Sequence, residues 1–263
     1  MGTVVPVASG KGGVGKTAIA AMLAREAARL GPVVAFDADP LPNLDILLRP
    51  LPPRCQLRRT TATAVDEIES AAESAFVVVD LGAGLDSVDL FARLSSVLLV
   101  VTPDEASRRD AEAYLRLAAI RRLTHEFFEC RGWRDIEEYW HAHPEITMGQ
   151  LIGLLERPEF ITTAEEALSG FTCYLIGNQC EPRHARLLDD FARVLSATLA
   201  PLVVRPVGVV PFDPAVRRAT VSGGLRSGPA ANEVARAFAI IAGNGHLRRR
   251  ASLGARIRAL FGC

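Results

Sequence analysis

The chain lacks three features that would otherwise indicate a function: paired cysteines, long apolar runs and a basic leader. Its five cysteines are scattered without a CxxC pair, which argues against a structural zinc site or a redox dithiol. No apolar run approaches the about 20 residues that a membrane-spanning helix needs. The first residues also lack the basic and apolar regions of a signal peptide. We therefore expect a cytoplasmic protein with reduced thiols.

Charge of one sign is not in excess, but the charges are unevenly distributed. The 263 residues carry 30 basic and 30 acidic side chains, so no general attraction to nucleic acid or membrane is expected. The segment 246–263 nevertheless holds five arginines and no acidic residue. Apolar residues make up 49% of the chain, which is enough for one domain with a substantial core.

Lysine is almost absent. Only two of the 30 basic residues are lysines, Lys11 and Lys16, and both lie in SGKGGVGKT at 9–17. This segment fits the phosphate-binding pattern GxxxxGK[ST], in which glycines let backbone N–H groups point at phosphate oxygens. Lys16 suits the β- and γ-phosphates because its ammonium is a compact charge on a flexible stem. The Thr17 hydroxyl is expected to bind Mg²⁺. The other residues of the predicted cradle are Gly12, Gly13, Val14, Gly15 and Ala18.

Short β-branched segments alternate with longer helical patterns along the chain. The apolar segments predict strands buried on both faces. This alternation predicts an α/β fold: one P-loop domain over 1–245, with a mostly parallel sheet and helices on both faces. Residues 122–171 contain both tryptophans and predict inserted short helices, either a cap packed on the domain or a surface that docks a partner. The predicted strands are 3–8, 33–36, 76–80, 97–102, 173–177 and 207–210.

Acidic residues follow two of the predicted strands. Asp37 and Asp39 end the second strand, and Asp80 ends the third before a glycine-rich turn. Ligands of open α/β sheets bind outside the carboxyl ends of the strands, so these side chains are expected to face the phosphate loop. As an alternative, each could cap the turn or helix that follows it.

These motifs resemble those of the MinD/ParA family of ATPases. KGGVGKT resembles its deviant Walker A motif, DAD its switch I, and VVVDLGAG its Walker B and switch II. The resemblance covers residues 1–121 and 172–242. It implies ATP and Mg²⁺ as cofactors and a homodimer formed with ATP, in which Lys11 reaches the phosphates bound by the partner subunit. The alternative for Lys11 is an exposed loop charge.

The same resemblance implies roles for the acidic residues and the switch loop. Asp37 and Asp80 would hold Mg²⁺ through water, beside the direct ligand Thr17. Asp39 would position the attacking water, and the glycines of 82–84 would sense the γ-phosphate. SG before the loop and DLGAG look more like MinD and the flagellar-number ATPase FlhG, whereas the DxDP spacing is closer to ParA.

Two later segments resemble the family's adenine side. Asn178 follows a strand and, by this likeness, reads the base, since an amide offers both a donor and an acceptor. Pro211 and Asp213 lie in a segment similar to the one that packs beside adenine. An ordinary strand-to-helix turn is the alternative for both. Ala18 replaces the family's usual Thr or Ser at the α-phosphate, so weaker nucleotide binding is expected.

The basic segment 246–263 predicts an amphipathic helix with an apolar face and arginines beside it. This composition is typical of helices at a membrane interface, and RIRALFGC resembles the C-terminal membrane-targeting helix of MinD. We expect peripheral attachment to the anionic inner face of the cell membrane. A solubilising tail, a helix docked on the core and a nucleic-acid arm are the alternatives. The expected membrane residues are Leu253, Ile257, Leu260, Phe261, Arg256 and Arg258.

The sequence thus predicts a Mg²⁺-dependent ATPase that acts as a dimerisation and membrane-association switch. An unidentified activating protein would stimulate it, and it would position a machine such as the division site or flagella. A ParA-like, ATP-dependent DNA-binding partition protein is one alternative, with nucleic acid contacted by arginines such as Arg217 and Arg218. A nucleotide-binding scaffold with little hydrolysis is another, for which Ala18 is the indication.

Overall fold

A computed structural model of the chain describes residues 3–61, 64–83, 87–128, 130, 133–225 and 228–243. In these residues seven strands form one sheet in the order β3-β2-β4-β1-β5-β6-β7, and all its neighbouring strands are parallel. The strands are β1 (Val4–Ala8), β2 (Val33–Ala38), β3 (Cys55–Arg59), β4 (Phe76–Leu81), β5 (Ser96–Val101), β6 (Thr172–Gly177) and β7 (Val203–Val209).

Helices cover both faces of this sheet because its central strands are apolar on both faces. In β5, Leu98 and Val100 pack with the helices Lys16–Leu30 and Pro229–Gly243, whereas Leu99 and Val101 on the opposite face pack with the helices Glu105–Phe127 and Ala185–Leu199. The predicted α/β fold is therefore confirmed. The helices are α1 (Lys16–Leu30), α2 (Leu44–Leu47), α3 (Val65–Ala71), α4 (Val88–Arg93), α5 (Glu105–Phe127), α6 (Trp133–Ala142), α7 (Met148–Ile152), α8 (Pro158–Ser169), α9 (Ala185–Leu199), α10 (Pro214–Ser222) and α11 (Pro229–Gly243).

The edge strand β3 is missing from the six strands predicted from sequence. Its residues read CQLRR, and only Cys55 among them is buried. An edge strand pairs on one side only and tolerates charged side chains, so its pattern lacks the apolar continuity of the central strands. Backbone pairing with β2, from Val33 opposite Cys55 to Asp37 opposite Arg59, defines it instead.

The helices α6, α7 and α8 lie within the segment predicted as an insertion, whereas residues 122–127 belong to α5. Trp133 and Trp140 both belong to α6 and are buried in the core. Trp133 Nε1 donates to Thr124 Oγ1 at 3.1 Å, and the Arg116 guanidinium lies 4.0 Å from the Trp140 ring centroid. Both tryptophans thus anchor α6 to α5 rather than forming an exposed surface.

Within the described ranges between 3 and 243, no helix combines the length and apolar character needed to cross a bilayer. The six residues predicted to contact a membrane lie outside the described residues, and so does the rest of segment 246–263.

Candidate functional site

The phosphate loop connects β1 to α1 at the carboxyl edge of the sheet. Gly13 and Gly15 have φ angles of 81° and 87°, in the left-handed region that favours glycine. A Cβ atom on Gly10 would lie 2.2 Å from the Asp110 carbonyl carbon, so the chain can approach α5 here only without a side chain. Gly12 and Gly13, in contrast, border open space. The loop thus exposes backbone and the N-terminus of α1, which favours an anion.

Lys16 is the buried cation of this site. The side chain is only 6% exposed, and Nζ lies 2.9 Å from Asp80 Oδ1 and 3.3 Å from Asp39 Oδ2. Buried lysines are rare unless they are paired. The structure therefore brings together three of the predicted site residues: the loop lysine and the carboxylates that follow β2 and end β4.

Asp80 is fully buried, and burial raises the pKa of its carboxyl to about 6, although the neighbouring Lys16 ammonium and Thr17 hydroxyl oppose that rise. Its Oδ2 atom is also buried and has no hydrogen-bond partner among the described residues. An unsatisfied buried acceptor is costly. A water molecule bound to Mg²⁺ would satisfy it, so Asp80 and Thr17 fit the predicted magnesium site.

Asp37 contacts the backbone of the segment after β2. Its Oδ2 accepts a hydrogen bond from the Leu44 N–H at 3.0 Å, and its Oδ1 accepts one from the Asp39 N–H at 3.3 Å. Burial raises the pKa of Asp37, while these two bonds oppose the rise. Asp39 Oδ1 in turn accepts from the Leu41 N–H at 2.9 Å. In this conformation Asp37 and Asp39 therefore make the turn-capping contacts that the sequence suggested as an alternative. Asp39 also contacts Lys16.

Lys11 forms an ion pair within its own chain. Its Nζ lies 2.9 Å from Asp104 Oδ1, and the two side chains are 35% and 49% exposed. Asp104 also caps α5 by accepting from the Ser107 N–H at 2.8 Å, and it accepts from the Thr102 hydroxyl. Thr102, Lys11 and Ser107 together hold the pKa of Asp104 well below its usual range.

Asp104 is a site residue that sequence reasoning missed. A signal was present, because Thr102-Pro-Asp-Glu-Ala-Ser follows a buried strand and offers an N-cap with serine three residues later. Asp104 belongs to none of the motifs of the predicted site, so its contact with Lys11 was not predicted.

The two segments assigned to adenine make contacts of their own. Asn178 Nδ2 donates to the Val14 carbonyl oxygen at 2.7 Å. Asp213 caps α10 by accepting from the Ala215 N–H at 2.8 Å, and the half-buried Pro211 lies just before it. Ala18 lies in the first turn of α1 and is buried in the core. Base reading by Asn178 and packing of adenine beside Pro211 and Asp213 stay predictions.

Residues 5–225 match the CobQ/CobB/MinD/ParA nucleotide binding domain. The chain belongs to this family. The resemblance that the motifs indicated is thereby confirmed, and nucleotide binding is the property by which the family is described. Residues 246–263, which carry the predicted membrane helix, lie beyond the matched residues.

Individual relatives agree with this family. The chain is 30% identical, over 158 positions, to the septum site-determining protein MinD of Synechocystis, covering 44% of this chain and 59% of that protein. The match thus spans less than two thirds of the relative's length.

Solved structures share the fold. MinD in the MinC:MinD complex of Aquifex aeolicus has a TM-score of 0.57 and 19% identity, covering 94% of this chain and 98% of that one. MinD with Mg-ADP from Pyrococcus horikoshii has a TM-score of 0.56 and 15% identity, covering 95% of this chain and all of that one.

Proposed function

We propose that this family member is a Mg²⁺-dependent ATPase whose nucleotide state controls pairing of two subunits and peripheral association with an anionic membrane. The observation that carries the proposal is the buried Lys16 between Asp80 and Asp39, beside a loop of exposed glycine backbone. A cation at this depth, at the N-terminus of α1, can exchange its carboxylate partners for phosphate oxygens.

The residues around Lys16 have separate tasks in this proposal. Lys16 and the loop N–H groups would bind the β- and γ-phosphates, and Thr17 and Asp80 would hold the magnesium ion, Asp80 through water. Mg²⁺ itself would neutralise phosphate charge. Asp39, released from Lys16, orients the attacking water. Because phosphoryl transfer depends mainly on positioning and charge neutralisation, no covalent intermediate with a side chain is needed.

Pairing of two subunits rests on Lys11. The side chain of Lys11 is partly exposed, so its ammonium can leave Asp104 for the phosphates of a nucleotide bound by a partner subunit. An ATP-bound pair would also place two copies of segment 246–263 on one body. Two weak membrane contacts then act together, so that marginal affinity becomes strong binding that depends on ATP.

A partner protein completes the proposal. The similar MinD of Aquifex aeolicus was solved with MinC, and we propose that this chain likewise binds a protein that stimulates hydrolysis and places it at a particular site. The machine that it would position is a division, flagellar or similar assembly.

The direct test of catalysis is phosphate release in Mg²⁺ and ATP, with Lys16→Ala and Asp39→Ala beside the unchanged chain. We expect slow turnover that Lys16→Ala abolishes through lost binding. Asp39→Ala should abolish turnover while ATP binding remains. Turnover that persists in both variants would contradict the assignment.

A further inference from the structure

We infer that Asn178 is a positioning residue for the phosphate loop, so that it acts on the phosphates of any nucleotide and not on the base alone. This inference rests on the proposed nucleotide binding. It means that a contact between the end of β6 and the phosphate loop sets the shape of the phosphate site. The contact joins residues 164 positions apart in the chain, and the donor and acceptor are 2.7 Å apart.

The position of Asn178 is itself fixed by the sheet. Its backbone N–H donates to the Val101 carbonyl at the end of β5 at 2.7 Å, and the preceding Gly177 carbonyl accepts from the Val210 N–H at 2.7 Å. The side chain is buried, with the residue 8% exposed. The amide therefore extends from a rigid sheet edge, as a support for a precisely shaped loop requires.

The hydrogen bond orients one peptide group of the loop. A peptide is planar and trans, so its carbonyl and its N–H point in opposite directions. When Asn178 holds the Val14 carbonyl, it also fixes the direction of the Gly15 N–H in the same peptide. Phosphate loops bind anions through such N–H groups, so the contact sets part of the anion site.

The loop sequence is adapted to this contact. A Cβ atom on Gly15 would lie 2.2 Å from Asn178 Nδ2, closer than nonbonded atoms can approach. The glycine is therefore required both by its φ angle of 87° and by the amide packed against it. Val14, on the other side of the peptide, is buried in the core.

The test separates a loop-positioning role from base reading. Asn178→Asp keeps the shape but replaces the donor by an acceptor, which cannot bond to a carbonyl oxygen. Affinities are measured for ATP, for GTP and for inorganic tripolyphosphate, which has no base. The matched control is Gln179→Glu, which makes the same amide-to-carboxylate change at the exposed neighbouring residue. Thermal unfolding is followed for each protein.

We expect Asn178→Asp to weaken all three ligands by a similar factor, about 5- to 30-fold, because one hydrogen bond of about 1–2 kcal/mol is lost. Gln179→Glu should change them much less. Loss of the ATP-over-GTP preference with unchanged tripolyphosphate binding would overturn the inference in favour of base reading. Equal effects of the two variants would also overturn it, because added charge would then explain the loss.

Three further outcomes are informative. If Asn178→Asp does not fold, Asn178→Ser, which is uncharged and too short to reach Val14, is taken through the same titrations and judged by the same criteria. If the unchanged chain binds neither ATP nor tripolyphosphate, the proposed nucleotide binding itself is wrong. Retained affinity in a folded but less stable variant would mean that the hydrogen bond only stabilises the fold.

Discussion

Removing the charge of Asp104 should strengthen the ATP-dependent pairing of two subunits. Asp104→Asn leaves Lys11 without its ionic partner, so less free energy is needed to move that lysine toward a second subunit. Asparagine is as good an N-cap as aspartate, so the start of α5 should be preserved. The change therefore isolates the ion pair from the helix cap.

The magnitude follows from the exposure of the pair. With side chains 35% and 49% exposed, the ion pair is a surface pair, worth about 0.2–1 kcal/mol. Two such pairs break when a symmetric dimer forms, so the total is about 0.4–2 kcal/mol. We expect the dimer Kd to fall by about 2- to 30-fold, and less at high salt.

The assay is sedimentation velocity over a range of protein concentrations with Mg²⁺ and a non-hydrolysable ATP analogue. Glu105→Gln is the matched control, because it removes the neighbouring carboxylate, which pairs with Arg109 at 2.9 Å instead. If Asp104→Asn pairs no more tightly than Glu105→Gln, the ion pair of Lys11 with Asp104 does not oppose pairing. An equal gain in a Lys11→Ala background would mean the same, since no lysine would then be released.

Three further predictions concern stability and chemistry. Arg122 is buried and donates to three backbone carbonyls, those of Ala92 in α4, Ala167 in α8 and Leu94, which follows α4. Arg122→Met should therefore lower the free energy of unfolding by about 2–4 kcal/mol in urea titrations, and a loss under 1 kcal/mol would contradict this. Burial, with help from nearby arginines, lowers the pKa of His125, so its contribution to stability is present above the unfolded pKa and is lost as pH falls below it. Lowering the pH from 7 to 5 should therefore reduce the free energy of unfolding, measured by urea titration, more in the natural chain than in His125→Gln. An equal pH dependence in the two proteins would exclude this role. Asp80→Asn should weaken Mg²⁺ dependence of nucleotide binding, measured by titration with and without the ion, whereas an unchanged dependence would remove Asp80 from the metal site.

Much of the site could be predicted from sequence because its residues are local in the chain or follow apolar strands. The loop at 9–17 is one continuous motif. Asp37 and Asp80 lie near the carboxyl ends of their strands, and a parallel sheet brings these ends together at one edge. The same topology places Lys16 between the carboxylates of Asp39 and Asp80. Pattern and spacing therefore sufficed for these residues.

The unpredicted parts depend on contacts between distant segments. The ion pair of Lys11 with Asp104 and the hydrogen bond of Asn178 to Val14 each join a loop to the end of another strand, and no spacing rule indicates which donor meets which acceptor. Strand β3 was missed for a different reason, since an edge strand with polar residues has no distinctive pattern.

Control of membrane association by the nucleotide is measured by co-sedimentation of the full chain with anionic liposomes in ATP, ADP or no nucleotide. A chain ending at residue 245 and neutral liposomes serve as controls. We predict that the full chain pellets with anionic liposomes in ATP alone and that the shortened chain stays in the supernatant. Equal pelleting in every nucleotide state, or none in ATP while the subunits pair, would contradict a nucleotide-controlled membrane switch.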